Sequence, residues 1–215
     1  MRVLTWNLYH GRAVPPAGRA LLGSFAVALA TWEWDVALLQ EVPPWWPGPL
    51  AAFARADERH VLTSRNLGLP LRRAIGARDP DLLGANGGGA NAILVRGAIR
   101  EHRSVLLRRL PERRRAHGVR LSDGTWVVNV HAHNTPPERA LADCEHARAA
   151  ALDWAAGAPL VLGGDLNLRR PVLAGLHHVA GNHVDHVLAR GLGGRGRVLD
   201  RGRLSDHPPV VATLE

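Results

Sequence analysis

Six short apolar runs in this chain each carry a chemically capable polar group at one end. Asn7 follows Val3-Leu4-Thr5-Trp6, and Glu41 follows the run Asp35–Gln40. His131 follows Val127-Val128-Asn129-Val130, and Asp165 and Asn167 follow Leu160–Gly164. Asp185 opens the run Val184–Ala189, and Asp206 and His207 precede Pro208-Pro209 and the run Val210–Leu214. Apolar runs of this length read as buried strands. Polar groups at the ends of buried strands sit on rigid backbone, where active sites are commonly assembled.

Between these runs the signals alternate. Pro15-Pro16 opens a predicted helix to Trp32, with Leu21, Leu22, Phe25, Leu29 and Trp32 at near-helical spacing. A short helix is predicted from Pro47 to Glu58, and residues 64–90, which hold Arg65, Arg72, Arg73, Arg78 and the triplet Gly87-Gly88-Gly89, read as loop. Residues 91–96, 99–110 and 115–121 read as strands, and Asp123-Gly124 as a type I′ hairpin turn into Trp126–His131. The best helix runs from Pro137 to Ala156, with Gly157 placed for a left-handed cap. Strands mixed with a few helices predict an α/β domain with mixed sheets, and no composition break divides residues 1–215.

The residue types at the strand ends support a specific chemistry. Glu41 and Asp206 are hard oxygen donors and Asn7 adds a neutral one, a set that suits Mg²⁺ or Mn²⁺ with water completing the shell. His131 and His207 are donors to a phosphoryl oxygen or leaving group. Asp165 is placed to orient or deprotonate a water, with Asn167 two residues on at the same side of an extended segment.

Six segments in order, Thr5-Trp6-Asn7, Leu38–Glu41, Asn129–His131, Gly164–Asn167, Val184–Val187 and Ser205–His207, resemble the endonuclease/exonuclease/phosphatase superfamily, the fold of deoxyribonuclease I. The resemblance runs from residue 2 to 214. It implies a four-layer sandwich of two mixed β-sheets flanked by helices. It also implies that Asn7, Glu41 and Asp206 surround the metal, and that Asp165 and Asn167 position the attacking water. Asp185 is then the partner of His207 at the scissile phosphate, and His131 stands where the family has a histidine or tyrosine. The reaction implied is in-line displacement at phosphorus by activated water.

Several neighbours are candidate substrate contacts. Tyr9, His10 and Arg12 are placed for the cleft mouth. Trp45 and Trp46 stack on a base or sugar, or else belong to the core or a half-buried lid. His133 touches substrate or sits on the rim, and Arg169 and Arg170 directly follow the Asp165–Asn167 loop. Arg113–Arg115 and Arg72-Arg73 either track phosphates or reflect a GC-rich genome, because all 27 basic residues are arginine. Cys144, among Ala142, Ala147 and Ala151, reads as packing.

The formal net charge of +8 favours a polyanionic partner, so a nuclease-like phosphodiesterase on nucleic acid is the leading expectation. A hydrolase of a small or lipid phosphate ester, such as an inositol phosphate, is the alternative, with a non-catalytic binding protein on the same fold behind it. One cysteine excludes an intrachain disulfide framework. No apolar run approaches the ~20 residues of a membrane span, and the N-terminal apolar stretch is short for a secretory signal. A cytoplasmic monomer is expected.

Overall fold

The computed structural model describes residues 1–64, 66–87 and 89–215, so Arg65 and Gly88 of the predicted loop lie outside the described residues. In chain order the elements are β1 (Arg2–Asn7), α1 (Leu22–Thr31), β2 (Val36–Val42), α2 (Pro47–Ala54), β3 (Asp57–Thr63), α3 (Leu69–Gly76), β4 (Gly89–Val95), β5 (Glu101–Arg108), β6 (Arg114–Arg120) and β7 (Trp126–His131). They continue with α4 (Pro137–Ala155), β8 (Leu160–Asp165), β9 (His177–Asn182), β10 (Asp185–Arg190), β11 (Gly194–Val198) and β12 (Val210–Leu214). The strands form two six-stranded sheets, ordered β11-β12-β1-β2-β4-β3 and β5-β6-β7-β8-β10-β9. The pairs β1–β2 and β7–β8 are parallel and the rest antiparallel. Each parallel pair needs a crossover, which α1 supplies in the first sheet and α4 in the second.

Side-chain alternation along each strand sorts the core into three layers. Leu4, Trp6, Ala37 and Leu39 face outward onto Phe25 and Leu29 of α1 and Leu50 and Ala54 of α2. Val128, Val130, Leu160 and Leu162 face outward onto Ala140, Cys144, Ala147 and Ala151 of α4. Cys144 is thus a buried packing residue, and burial pushes its thiol up from the ordinary range. Val3, Val36, Leu38 and Ile93 of the first sheet meet Val119, Val127, Val161 and Val187 of the second in the central layer.

That layer changes character along its length. Two-residue steps from the central valines lead from Val3 to Thr5 and Asn7, from Val36 to Leu38 and Gln40, and from Val127 to Asn129 and His131. They also lead from Val161 to Gly163 and Asp165, and backwards from Val187 to Asp185. The same faces that are apolar at mid-strand are therefore polar at one end, where the two sheets together form the floor of the site. Gln40 and Asn129 brace that end. Gln40 Nε2 donates to Asn129 Oδ1 at 2.8 Å, and Asn129 Nδ2 donates to the carbonyls of Leu39 and Ala92 at 3.0 and 2.9 Å. Those carbonyls lie where the β2–β4 register shifts between Leu39 and Val42. A side chain of the second sheet thus completes the hydrogen bonding of a bulge in the first.

Four local expectations are corrected. The helix after Pro15-Pro16 begins only at Leu22, because Asp81 Oδ2 takes the amides of Ala17 and Gly18 (3.1 and 3.0 Å) and Ala13 bridges Leu204, holding this segment as a strap. The second helix stops at Ala54, with Arg55 left-handed, and residues 57–63 become edge strand β3. The predicted loop contains α3. The Asp123-Gly124 hairpin is present, but only Gly124 has positive φ (88°) and its amide bonds Leu121 O at 3.1 Å, which makes Ser122-Asp123 the centre of the turn. Among the described residues no helix is long and apolar enough to cross a membrane.

Candidate active site

Register assembles the centre. In the β7–β8 pair His131 lies level with Asp165, and in the β8–β10 pair Asp165 lies level with Asp185. Three side chains on adjacent strands therefore line up across the second sheet. The first sheet brings Asn7, level with Gln40 on parallel β1–β2, and Glu41, whose backbone is left-handed (φ 49°) in the β2 bulge. The Ser205–His207 segment closes the ring. Ser205 (φ 61°) donates its hydroxyl to Asn7 O at 2.6 Å and accepts the His207 amide at 3.0 Å, and Trp6 Nε1 holds His207 O at 2.9 Å.

Asp165 is the hub. Asn7 Nδ2 donates to its Oδ2 at 2.9 Å, and the Asn167 amide to its Oδ1 at 3.2 Å. Asn7 Oδ1 accepts the Tyr9 amide at 2.9 Å, which fixes the orientation of the carboxamide. Asn167, with φ 52°, donates Nδ2 to Ala132 O at 3.0 Å, so it braces the loop against β7. Burial, together with the charges of Asp185 and Glu41, pushes the Asp165 carboxyl up to about 7, against the opposing pull of His207 and Asn7.

The two imidazoles have different states. Burial disfavours a cationic His207, but its Nδ1 lies 2.7 Å from Asp185 Oδ2, and the hydrogen bond and charge of Asp185 outweigh burial and raise its pKa to about 9. His131 is buried, and burial plus the nearby Arg114 cation drives its pKa well below the ordinary value. Arg114 Nη1 lies 2.8 Å from His131 Nδ1. A guanidinium only donates, so Nδ1 accepts and the His131 proton resides on Nε2. That nitrogen points at Asp165 Oδ2 (3.5 Å) and Glu41 Oε1 (3.8 Å). A carboxyl group of raised proton affinity thus lies near a neutral donor and a cationic one.

Two sets of groups qualify as metal donors. Oxygen or nitrogen atoms of Asp165, Asp185 and His207 all lie within 4.8 Å of one another. Asp165 is engaged by Asn7 and Asn167 and Asp185 Oδ2 by His207, while Asp185 Oδ1 is buried without a hydrogen-bond partner. Glu41 and Asp206 keep freer oxygens. Glu41 Oε2 has His10 Nε2 at 3.2 Å, and the exposed Asp206 carboxylate lies 3.8 Å from His207 Nε2.

The remaining predicted contacts fall in different places. Tyr9 and His10 form a tight turn with φ 49° and 55°, and the Arg12 guanidinium lies 3.7 Å over the Tyr9 ring. His133 is buried beside α4 with no hydrogen bond to its Nδ1, while its amide is held by Asp143. Trp46 is core, packed on Phe25 with ring centroids 5.5 Å apart, and offers no free face. Trp45 is half-buried next to Gly76. Arg169 and Arg170 are exposed. Sequence reasoning took Arg114 only as one of the run Arg113–Arg115, tracking phosphates or reflecting composition, and missed its contact with His131. Its signal is a place at the head of β6, the strand that pairs with the one carrying His131.

The family profile described as "Endonuclease/Exonuclease/phosphatase family" matches residues 4–207. None of the curated proteins matches the chain. Among solved structures, a functionally unknown conserved protein from Enterococcus faecalis V583 is similar over 100% of this chain and 99% of its own, at 17% identity and a TM-score of 0.75. Caenorhabditis elegans TDP2 is similar over 100% and 74% of the two chains, at 18% identity and a TM-score of 0.71. A Bacteroides thetaiotaomicron mannosyl-6-phosphatase is similar over 100% and 99%, at 14% identity and a TM-score of 0.72. These likenesses bear out the two mixed sheets with flanking helices, and the profile match establishes that the chain belongs to the endonuclease/exonuclease/phosphatase family.

Proposed function

We propose that this protein is a divalent-metal-dependent phosphodiester hydrolase acting on nucleic acid by in-line attack of an activated water. The observation that carries this reading is the Asp165 carboxylate, oriented by Asn7 and Asn167 and set between the Nε2–H of His131 and the His207–Asp185 pair. In the proposed roles Asp165 takes the proton of the attacking water, Asn167 helps hold its loop, and His131 and His207 donate to oxygens on which negative charge grows. Asp185 keeps His207 oriented and protonated. The convergence of Glu41, Asp165, Asp185 and Asp206 on one site supports a bound cation. Asn7, Glu41 and Asp206 would hold Mg²⁺ or Mn²⁺, which supplies charge neutralisation at the phosphoryl oxygens. The net charge of +8 supports a polyanionic substrate.

Asp165→Asn is expected to fold normally and to lose about 10²–10⁴-fold in kcat. The measurement is a Mg²⁺/Mn²⁺ panel of plasmid DNA, an abasic duplex, single-stranded RNA, a chromogenic phosphodiester, inositol phosphates and a sugar phosphate, with EDTA abolishing turnover. Near-normal turnover by Asp165→Asn, or activity surviving EDTA, overturns the mechanism. Brisk hydrolysis of the small monoesters with inert nucleic acids overturns the substrate class.

A further inference from the structure

Two residues beyond Asn167, the chain enters the wall of a groove of about 380 Å³ between the catalytic loop and the β9–β10 hairpin, lined by Arg169, Arg170, His178, His183 and His186. No carboxylate lines it. A cavity of similar size at the far edge of the first sheet, about 390 Å³, holds Arg2, Arg195 and Arg197 but also Glu33, which pairs with Arg2 at 2.9 Å. Arg108, Arg114 and Arg148 likewise have acidic partners. Among the described residues Arg169 and Arg170 have no hydrogen-bond or ion-pair partner. Two unneutralised guanidinium groups at a concave surface form an electrostatic sink for an anion.

The histidines make the groove a built feature. His186 Nε2 lies 2.8 Å from Leu168 O and 3.1 Å from His183 O, so it carries a hydrogen. His186 is buried, its neutral form is favoured for that reason, and its Nδ1 accepts from His178 Nε2 at 3.0 Å. The pair crosses the hairpin over Gly181, where a Cβ would lie 2.2 Å from His186 Nδ1 and 2.8 Å from His178 Nε2. Glycine is therefore what lets the two rings lie there. The Leu168 carbonyl that His186 holds sits between Asn167 and Arg169, which ties the start of the arginine pair to the hairpin. Arg169 follows Asp165 by four residues, at most ~14 Å of chain, so the groove lies within reach of a substrate held at that centre.

We propose that this groove is an anion subsite that holds a second phosphate of the substrate beside the scissile one, with Arg169 and Arg170 as its clamp. The inference rests on the phosphoester-hydrolase reading of the Asp165 centre. The second phosphate belongs either to the next nucleotide of a nucleic acid or to a multiply phosphorylated small molecule.

The test compares kcat/KM of the full chain and an Arg169→Ala/Arg170→Ala double variant on bis(p-nitrophenyl) phosphate, a short oligonucleotide and an inositol bisphosphate. The ratio of kcat/KM on the phosphate-rich substrate to that on the single diester is expected to fall at least tenfold, mainly through KM. An Arg169→Lys/Arg170→Lys variant is expected to regain part of it. A fall on the oligonucleotide identifies a nucleic acid phosphate, and one on the inositol bisphosphate a small-molecule phosphate. An equal loss on all three substrates, or none, overturns the subsite. Should the wild type hydrolyse none of them, the hydrolase reading fails. The groove is then judged by anisotropy of a fluorescein-labelled oligonucleotide in EDTA, where at least fivefold weaker binding by the alanine variant supports it and equal binding overturns it.

Discussion

Arg114 donates to His131 Nδ1, and this single hydrogen bond decides which imidazole nitrogen faces Asp165 and Glu41. Without it either tautomer is available, and the form with its proton on Nδ1 presents a lone pair to two carboxylates instead of a donor. Replacing Arg114 by methionine, which fills much of the same volume, should lower kcat by about 10–100-fold with a smaller effect on KM. The ¹⁵N chemical shifts of the His131 ring should change from the Nε2–H pattern to a mixture. Unchanged kcat and unchanged ring shifts would show that Arg114 is merely structural. At this scale the sequence was legible where an acid, amide or imidazole ended an apolar run, because six such ends occur in one order, although each alone reads equally as a turn residue. It read Arg114 only as part of a phosphate-tracking or composition-driven arginine run, since a guanidinium in such a run looks the same whether it faces solvent or an imidazole.

The strands that carry Asp165 and His131 are brought together by glycine. At Gly164 (φ 141°) a Cβ would stand 1.8 Å from Val130 O on the neighbouring strand, and at Gly163 it would stand 3.0 Å from His186 O. Gly164→Ala must push β8 away from β7 and disturb the level pairing of His131 with Asp165. It should cost about 3 kcal/mol, at the upper end of overpacking effects, which is roughly 6–12 °C in Tm for a chain of this size. Thermal unfolding by circular dichroism checks this, and a loss of less than 2 °C would contradict it. Interior strands were readable because both faces are buried, so β1, β2, β4, β7, β8, β10 and β12 appear as apolar runs. Edge strands β3, β9 and β11 were not, since HHVAGN and GRGRV show no apolar run. β11 depends on a tertiary neighbour, with a Cβ at Gly196 falling 2.1 Å from Ala180 Cβ of β9 in the other sheet. The helix α3 was obscured by Gly68 and Pro70, which read as loop signals but here stand at its start.

Across the whole molecule, buried histidines set a limit on acid stability. His117 is fully buried between strands, and burial, with the charges of His102, His60 and Arg115, drives its pKa well below 6.5. Above pH 6.5 both folded and unfolded states hold it neutral. Below 6.5 only the unfolded state takes up the proton, so stability is lost as pH falls from 6.5 toward the depressed folded value, at up to about 1.4 kcal/mol per pH unit for each such histidine. Urea unfolding between pH 7.5 and 5 should show this slope, and His117→Gln should reduce it by about one proton; identical slopes would refute the assignment. A different consequence follows from the return of the chain to its first sheet. β12 pairs with β1, joining residues 210–213 to residues 2–5, and His207 arrives on the segment just before it. A chain leaving the ribosome therefore displays Asn7, Glu41, His131, Asp165 and Asp185 long before it has His207 or the strand that seats it. Synthesis that stalls before Ser205 yields a chain that lacks His207, and with it the hydrogen bond to Asp185 and the strand that closes the first sheet against β1.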